Sequence, residues 1–174
     1  MAIRTDFTAG EVLAAADLND TFAAKLNLAG GKILQIVRAT DATERTTTST
    51  SFVDASLSVT ITPQKSDSAI LIISSSVADM RNSTTNTFVG HFQITDNSNN
   101  AISGAQGNSF GVFNMSSPGR PAGPIMSSIL IAYATPATTS AVTYKTRFRS
   151  NDGGGVTIKN TETTGQMYAI EVSA

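Results

Sequence analysis

Two adjacent glycines, Gly30-Gly31, divide this 174-residue chain into parts with different hydrophobic periods. Upstream the apolar spacing is helical and rich in alanine. Downstream, from Gly31-Lys32-Ile33-Leu34-Gln35-Ile36-Val37 onward, apolar residues recur with a period of two and turn residues separate the runs. A strand sends successive side chains to opposite faces, so the pattern commits the chain beyond residue 30 to β structure. The expected organisation is a helical segment over 1–30 and a mainly β domain over 31–174, an antiparallel sandwich of jelly-roll type.

The strands follow from the alternation. Ile33 to Ala39 makes a first strand, Asp41 to Arg45 a turn or bulge, and Thr46 to Val53 a Thr/Ser-rich strand suited to an edge. Leu57, Val59 and Ile61 alternate strictly with Ser58, Thr60 and Thr62, and Pro63 ends that ladder. The continuous apolar run Ala69-Ile70-Leu71-Ile72-Ile73 predicts a central strand covered on both sides. Phe88, Gly90, Phe92 and Ile94 lead through Asp96-Asn97-Ser98-Asn99-Asn100 into a hairpin with Ala101-Ile102.

Gly104 to Pro124 is the longest irregular stretch, with Phe110, Val112 and Phe113 embedded in it. Ile125 to Tyr133 alternates with apolar residues on both faces. Val142, Tyr144, Thr146 and Phe148 oppose the cationic set Lys145, Arg147 and Arg149. Val156 with Ile158, and Tyr168 with Ile170 and Val172, supply the last two strands. About eight to ten short strands and no helix after residue 30 are expected.

Composition narrows the function classes. Charged residues make up 14% of the chain against roughly 25% in a typical soluble domain. Thr, Ser and Asn replace them on the polar faces, as in a rigid extracellular β structure. Twelve basic and thirteen acidic residues leave a net charge of -1 with no Lys/Arg cluster, which disfavours nucleic acid as a partner. The chain has no cysteine for disulfides or thiolate metal sites. It also has no apolar run near the roughly 18 residues of a membrane span and no signal-peptide pattern, so a soluble product of the cytoplasm is expected.

In the first unit, Thr8-Ala9-Gly10-Glu11 fits a capping box ahead of Val12 to Ala16, and Asp17 and Asp20 can open a second helical stretch carrying Leu18, Phe22 and Leu26. So short a helix is marginal alone. It needs a surface, either its own β domain or symmetry mates in a larger assembly, and Leu13, Leu18, Phe22 and Leu26 are the residues that would meet it.

No nucleophile motif, phosphate loop or paired carboxylates emerge. His91, the single histidine, sits in a strand pattern rather than a nucleophile elbow. Asp96 to Asn100 has oxygen donors at alternate positions but lacks the glycine and late glutamate of a calcium loop, which leaves an Asx turn. Asp152 with Glu162 or Glu171 is no better a glycosidase pair than chance. Neither catalysis nor a cofactor or metal is expected. The loops held up by strands are the candidates for partner contact: Arg81, Asn82 and Asn86 in one, Asn108, Phe110, Phe113 and Arg120 in the other.

The segment Asp6-Phe7-Thr8-Ala9-Gly10-Glu11-Val12-Leu13-Ala14-Ala15-Ala16-Asp17-Leu18-Asn19-Asp20-Thr21-Phe22 resembles the opening of tailed-bacteriophage virion proteins, where such a segment precedes a variable distal domain. Gly31 to Val37, Thr46 to Asp54, Leu57 to Pro63 and Ser68 to Ile72 are similar to a β module of phage tail-fibre and related structural proteins. The resemblance covers roughly the first 80 residues, and the rest only in its style of composition.

The resemblance implies a virion structural protein, usually a homotrimer, whose N-terminal part attaches it to other virion proteins, and it brings no catalytic residues. In such a trimer three copies of His91 could meet a metal on the axis, though no His-x-His pair supports this. The chain departs from long fibres in having no shaft. A short tail fibre or spike contacting host-surface glycan is the first expectation, a capsid decoration protein the second and a glycan-cleaving tailspike the third.

Overall fold

A computed structural model describes residues 31–81, 87–105, 107–113, 125–151 and 153–174, with 81, 87–88 and 108–113 in backbone only. The helical expectation for 1–30, with Leu13, Leu18, Phe22 and Leu26, lies outside the described residues, as do Asn82, Asn86 and Arg120. The described residues form strands and no helix: β1 (Ile33–Asp41), β2 (Arg45–Thr47), β3 (Val53–Ile61), β4 (Ala69–Arg81), β5 (Thr87–Asp96), β6 (Asn108–Phe113), β7 (Ile125–Ala134), β8 (Val142–Ser150), β9 (Gly155–Ile158) and β10 (Gly165–Val172).

All named pairings are antiparallel. One sheet follows the path β1-β10-β4-β9-β2 with β7 on β4, and the other runs β3-β8-β5-β6. β10 pairs with Ala69–Ser75 of β4 and β9 with Ala78–Arg81, so β9 and β10 act as one interrupted strand along a single edge of β4. Outside them β1 pairs with β10 and β2 with β9. The first sheet is therefore four strands wide, and its other margin is β7. Along the chain every step changes sheet except β1 to β2 and β9 to β10, each of which continues along one position of the first sheet, and β5 to β6, which pair directly.

The two sheets form a sandwich-like body because their inward residues join in one hydrophobic cluster. Leu57, Val59 and Ile61 of β3, Phe92 and Ile94 of β5, and Phe148 of β8 meet Ile70 and Ile72 of β4, Leu130 of β7, and Met167 and Ala169 of β10. The alternation in β3 is as the sequence predicts, with Ala55, Leu57, Val59 and Ile61 buried and Asp54, Ser56, Ser58 and Thr60 exposed. The Phe92 and Phe148 rings stack at 6.2 Å. In the core Ser74 and Thr146 share a 2.7 Å hydrogen bond between the two sheets, so neither buried hydroxyl is left without a partner.

Three expectations need correction. Thr46 to Val53 is not one strand, because pairing stops at Thr47 and resumes at Val53. The Ser49 amide donates to Thr47 Oγ1 and the Ser51 amide to Ser49 Oγ, each at 3.1 Å, so side-chain oxygens take donors that a ladder would have used. Gly104 to Pro124 is not wholly irregular either. Asn108–Phe113 is a strand paired with β5, which puts Asn108, Phe110 and Phe113 on a sheet margin rather than in a loop. Finally, β4 is central, with partners on both edges, but it is not covered on both sides: Leu71 and Ile73 are half-exposed on its outward face.

The registers also sort the strand ends. Ile33, Val172, Ala69 and Ala134 lie at one end of the first sheet, and Ile61, Val142 and Asp96 at the same end of the second. Gly31 joins the body here. Its amide donates to the Ser173 carbonyl at 2.9 Å, and its positive φ of 76° is a conformation that glycine adopts without strain. Arg81, Thr87, Phe113 and Ile125, the strand ends bordering both candidate loops, lie at the opposite end.

Candidate assembly interface

The outward side of the first sheet is apolar across its full width. Ile36, Ile170, Leu71 and Tyr133 form one cross-strand row, and Arg38, Tyr168, Ile73 and Ile131 the next. Ile129 and Ile125 continue the stripe along β7. Ile36, Ile125, Ile129, Ile131 and Tyr133 are between 45% and 61% exposed, although the body has ample hydroxyl-bearing residues to place there. At about 4.8 Å between strands and about 6.8 Å between outward rows, the first two rows alone cover roughly 250 Å². Arg38 carries the single charge in these rows, and its guanidinium lies over the Tyr168 ring at 6.0 Å from the centroid. Ile129 and Ile125 carry the apolar surface on along β7 only, since Thr40, Gln166 and Ser75 complete the next row, and a contiguous apolar patch of a few hundred Å² is of the kind that marks an interaction surface.

The opposite outer face is polar. Asp54, Arg147 and Gln93 form one row, Ser58 and Lys145 lie in another, and the Thr60 and Thr143 hydroxyls share a 2.8 Å hydrogen bond. The cations of this face fasten their own chain. Lys145 Nζ donates to the Asn97 carbonyl at 3.0 Å, Arg147 to the Phe52 carbonyl, and the Arg149 guanidinium lies 5.3 Å from the Phe52 ring centroid. The last two strap the 48–52 connection onto β8, and the first ties the turn after β5 to it. His91 lies in β5, with Nε2 at 3.2 Å from Asn151 Oδ1.

Among the described residues no group of three His, Cys, Asp or Glu side chains is placed to hold a metal ion. Asp96 makes an Asx turn, in which Oδ1 accepts from the Asn100 amide and Oδ2 from Asn100 Nδ2, each at 2.9 Å. Those bonds, with the side-chain amide contributing most, hold the Asp96 carboxyl below its ordinary range. Glu162 is a surface residue paired with Lys159 at 3.2 Å, whereas Glu171 is fully buried and faces the 62–68 connection. Asp152, the other member of either candidate pair, lies outside the described residues.

Of the residues singled out in the sequence, Arg81, Asn108, Phe110 and Phe113 are on described strands, with Arg81 and Phe113 at one end of the body and Asn108 opposite Phe92, midway along β5. The apolar face was not singled out. Its signal was the run Ile70–Ile73 and the apolar residues on both sides of β7, since one face of each strand is spent on the core and the other needs a second cover. No protein-family model matches this chain, and no curated protein matches it in sequence.

Proposed function

We propose that this chain is a homotrimeric structural component of a tailed-phage virion, a short tail fibre or spike that contributes to host-surface attachment and has no catalytic role. The observation that carries the reading is the contrast between the two outer faces. The apolar face of β1, β10, β4 and β7 meets second copies around a threefold axis, and the hydroxyl-rich face of β3, β8 and β5 meets solvent. The change of sheet at most steps is the wiring of a jelly roll, a fold used by viral structural proteins and lectins. In this reading residues 1–30 attach the protein to other virion proteins, in keeping with the phage-like opening, and weak contacts to surface glycan gain strength from three linked copies.

A tail position is favoured over a head position by the separation of ends. Gly31, where the attachment segment joins, lies at one end of the body, and the strand ends bordering the candidate partner loops lie at the other. A decoration protein lying flat on a capsid has less need of that polarity. Immunogold labelling of intact virions tests the reading. Gold at the tail is the expected result, gold over the head lattice replaces it with the decoration reading, and particles free of label overturn both.

A further inference from the structure

The end of the body where Gly31 joins also carries a cavity of about 460 Å³, between the turn after β5 and the connection from β7 to β8. We propose that this cavity is a binding site for a neutral saccharide, taking one or two pyranose rings. It lies away from the strand ends that border the candidate partner loops, so the assignment stands whether or not the chain is a virion component.

The lining has the two chemistries that a sugar ring presents. Ile102, Pro136, Ala141 and Val142 supply an apolar wall for the C–H face of a pyranose, and Asp96, Asn97, Ser98, Thr135, Thr143 and Tyr144 supply acceptors and donors for its hydroxyls. Asp96 is held in place in advance. Asn100 uses one lone pair on each carboxylate oxygen, at 2.9 Å, and the Ser98 amide also donates toward the carboxylate, which leaves its remaining acceptor capacity for a sugar hydroxyl. Further bonds across the same turn, from the Asp96 amide to the Asn100 carbonyl at 2.9 Å and from the Asn99 amide to the Asp96 carbonyl at 3.2 Å, keep it rigid.

Tyr144 adds the second observation. The residue is 3% exposed and lines the cavity, yet its hydroxyl makes no hydrogen bond among the described residues. The hydroxyl is not one of the sealed polar atoms of the core, so it opens toward the cavity and can donate to a bound molecule there. Burial, and then the Asp96 charge, push its pKa up, so it stays a neutral donor at any working pH. A cation suits the cavity less well, because Asp96 is its single carboxylate and the other groups are neutral. An anion would meet the Asp96 charge.

The test titrates the isotope-labelled full chain with methyl glycosides of glucose, galactose, mannose and N-acetylglucosamine, with glycerol as the non-ring control, and follows amide resonances. The expected result is saturable binding of at least one glycoside, with shifts at 96–98 and 141–144. Tyr144→Phe, which keeps the ring packing, should weaken that binding about fivefold, and Asp96→Asn should weaken it further. A flat titration for all four glycosides, saturable shifts confined to another surface, or equal affinity in both variants would overturn the site. Ile131→Lys, on the outer apolar face, should leave glycoside binding unchanged, so a failure here is separable from a failure of the trimer.

Discussion

Glu171 is a charge placed where an apolar side chain would be expected, and the surrounding donors make it tenable. Its Oε2 accepts from Gln35 Nε2 of β1 at 2.6 Å, and its Oε1 from the Gln64 and Lys65 amides at 2.8 and 3.2 Å. One carboxylate thus ties β10 to β1 and to the connection between β3 and β4. Burial pushes its pKa up, but the donors Gln35, Ser68 and the Gln64 and Lys65 amides outweigh it and hold the carboxyl below its ordinary value of 4.5. The ionised form therefore stabilises the folded chain at neutral pH, and that contribution is lost as the pH falls below about 4.5 toward the lower folded value. Glu171→Gln should cost about 2 kcal/mol at pH 7, the value of hydrogen bonds to a charged group, and progressively less as the medium is acidified below pH 4. Urea unfolding of both proteins across that range checks it, and a gap that does not narrow in acid would show that the charge is not what matters.

At the scale of elements, the interrupted strand β9–β10 sets how the first sheet is built. The Lys159 amide still donates to the Val77 carbonyl at 2.8 Å, one residue past β9, before the chain leaves the ladder for the turn 160–164. Asn160, almost fully buried, folds back under that turn and donates to Asp41 Oδ2 at 2.9 Å, against Gly165 at the start of β10. A Cβ on Gly165 would lie 2.7 to 2.9 Å from the Asn160 amide, which is held by its hydrogen bond. Gly165→Ala should then cost about 2 kcal/mol, the usual scale of overpacking, and much less in an Asn160→Ala background where the clash is gone. A double-mutant cycle by chemical denaturation measures the difference.

Most strand positions were legible in the sequence, but the break between β2 and β3 and the strand β6 were not. Strict alternation identified β3, the apolar run identified β4 as central, and the glycine pair marked where β structure begins. What alternation could not reveal was which face of β7 and β10 turns inward. Ile125, Ile129, Ile131 and Tyr133, and likewise Tyr168, Ile170 and Val172, are the larger apolar sets, yet they lie outward, while Leu130, Ala132, Met167 and Ala169 fill the core. Side-chain period fixes alternate faces and says nothing about which one a neighbour covers. The cavity was illegible for a related reason, since it is assembled from a turn and a connection that are far apart along the chain.

For the whole molecule, that reversal has a physical consequence. A strand that places its larger apolar residues outward, next to β4 residues that are only half-buried, leaves a surface that water should oppose unless another surface closes over it. β7 is moreover a margin strand whose second edge carries no β pairing among the described residues, so its exposed apolar side chains lie at one border of the face. Ile131 lies on β7 beside Ile73, with Tyr168 one strand further across. A lysine there would place an ammonium group in a contact with no anionic partner, while the inward side of β7 keeps Leu130 and Ala132 in the core. Ile131→Lys should therefore convert a particle of three times the 18.1 kDa chain mass to one of a single chain mass, with the β-sheet circular dichroism retained. Native mass spectrometry with sedimentation velocity reads both states. A wild-type chain that is monomeric at micromolar concentration, or a variant still trimeric at that concentration, would rule out this face as the contact between copies.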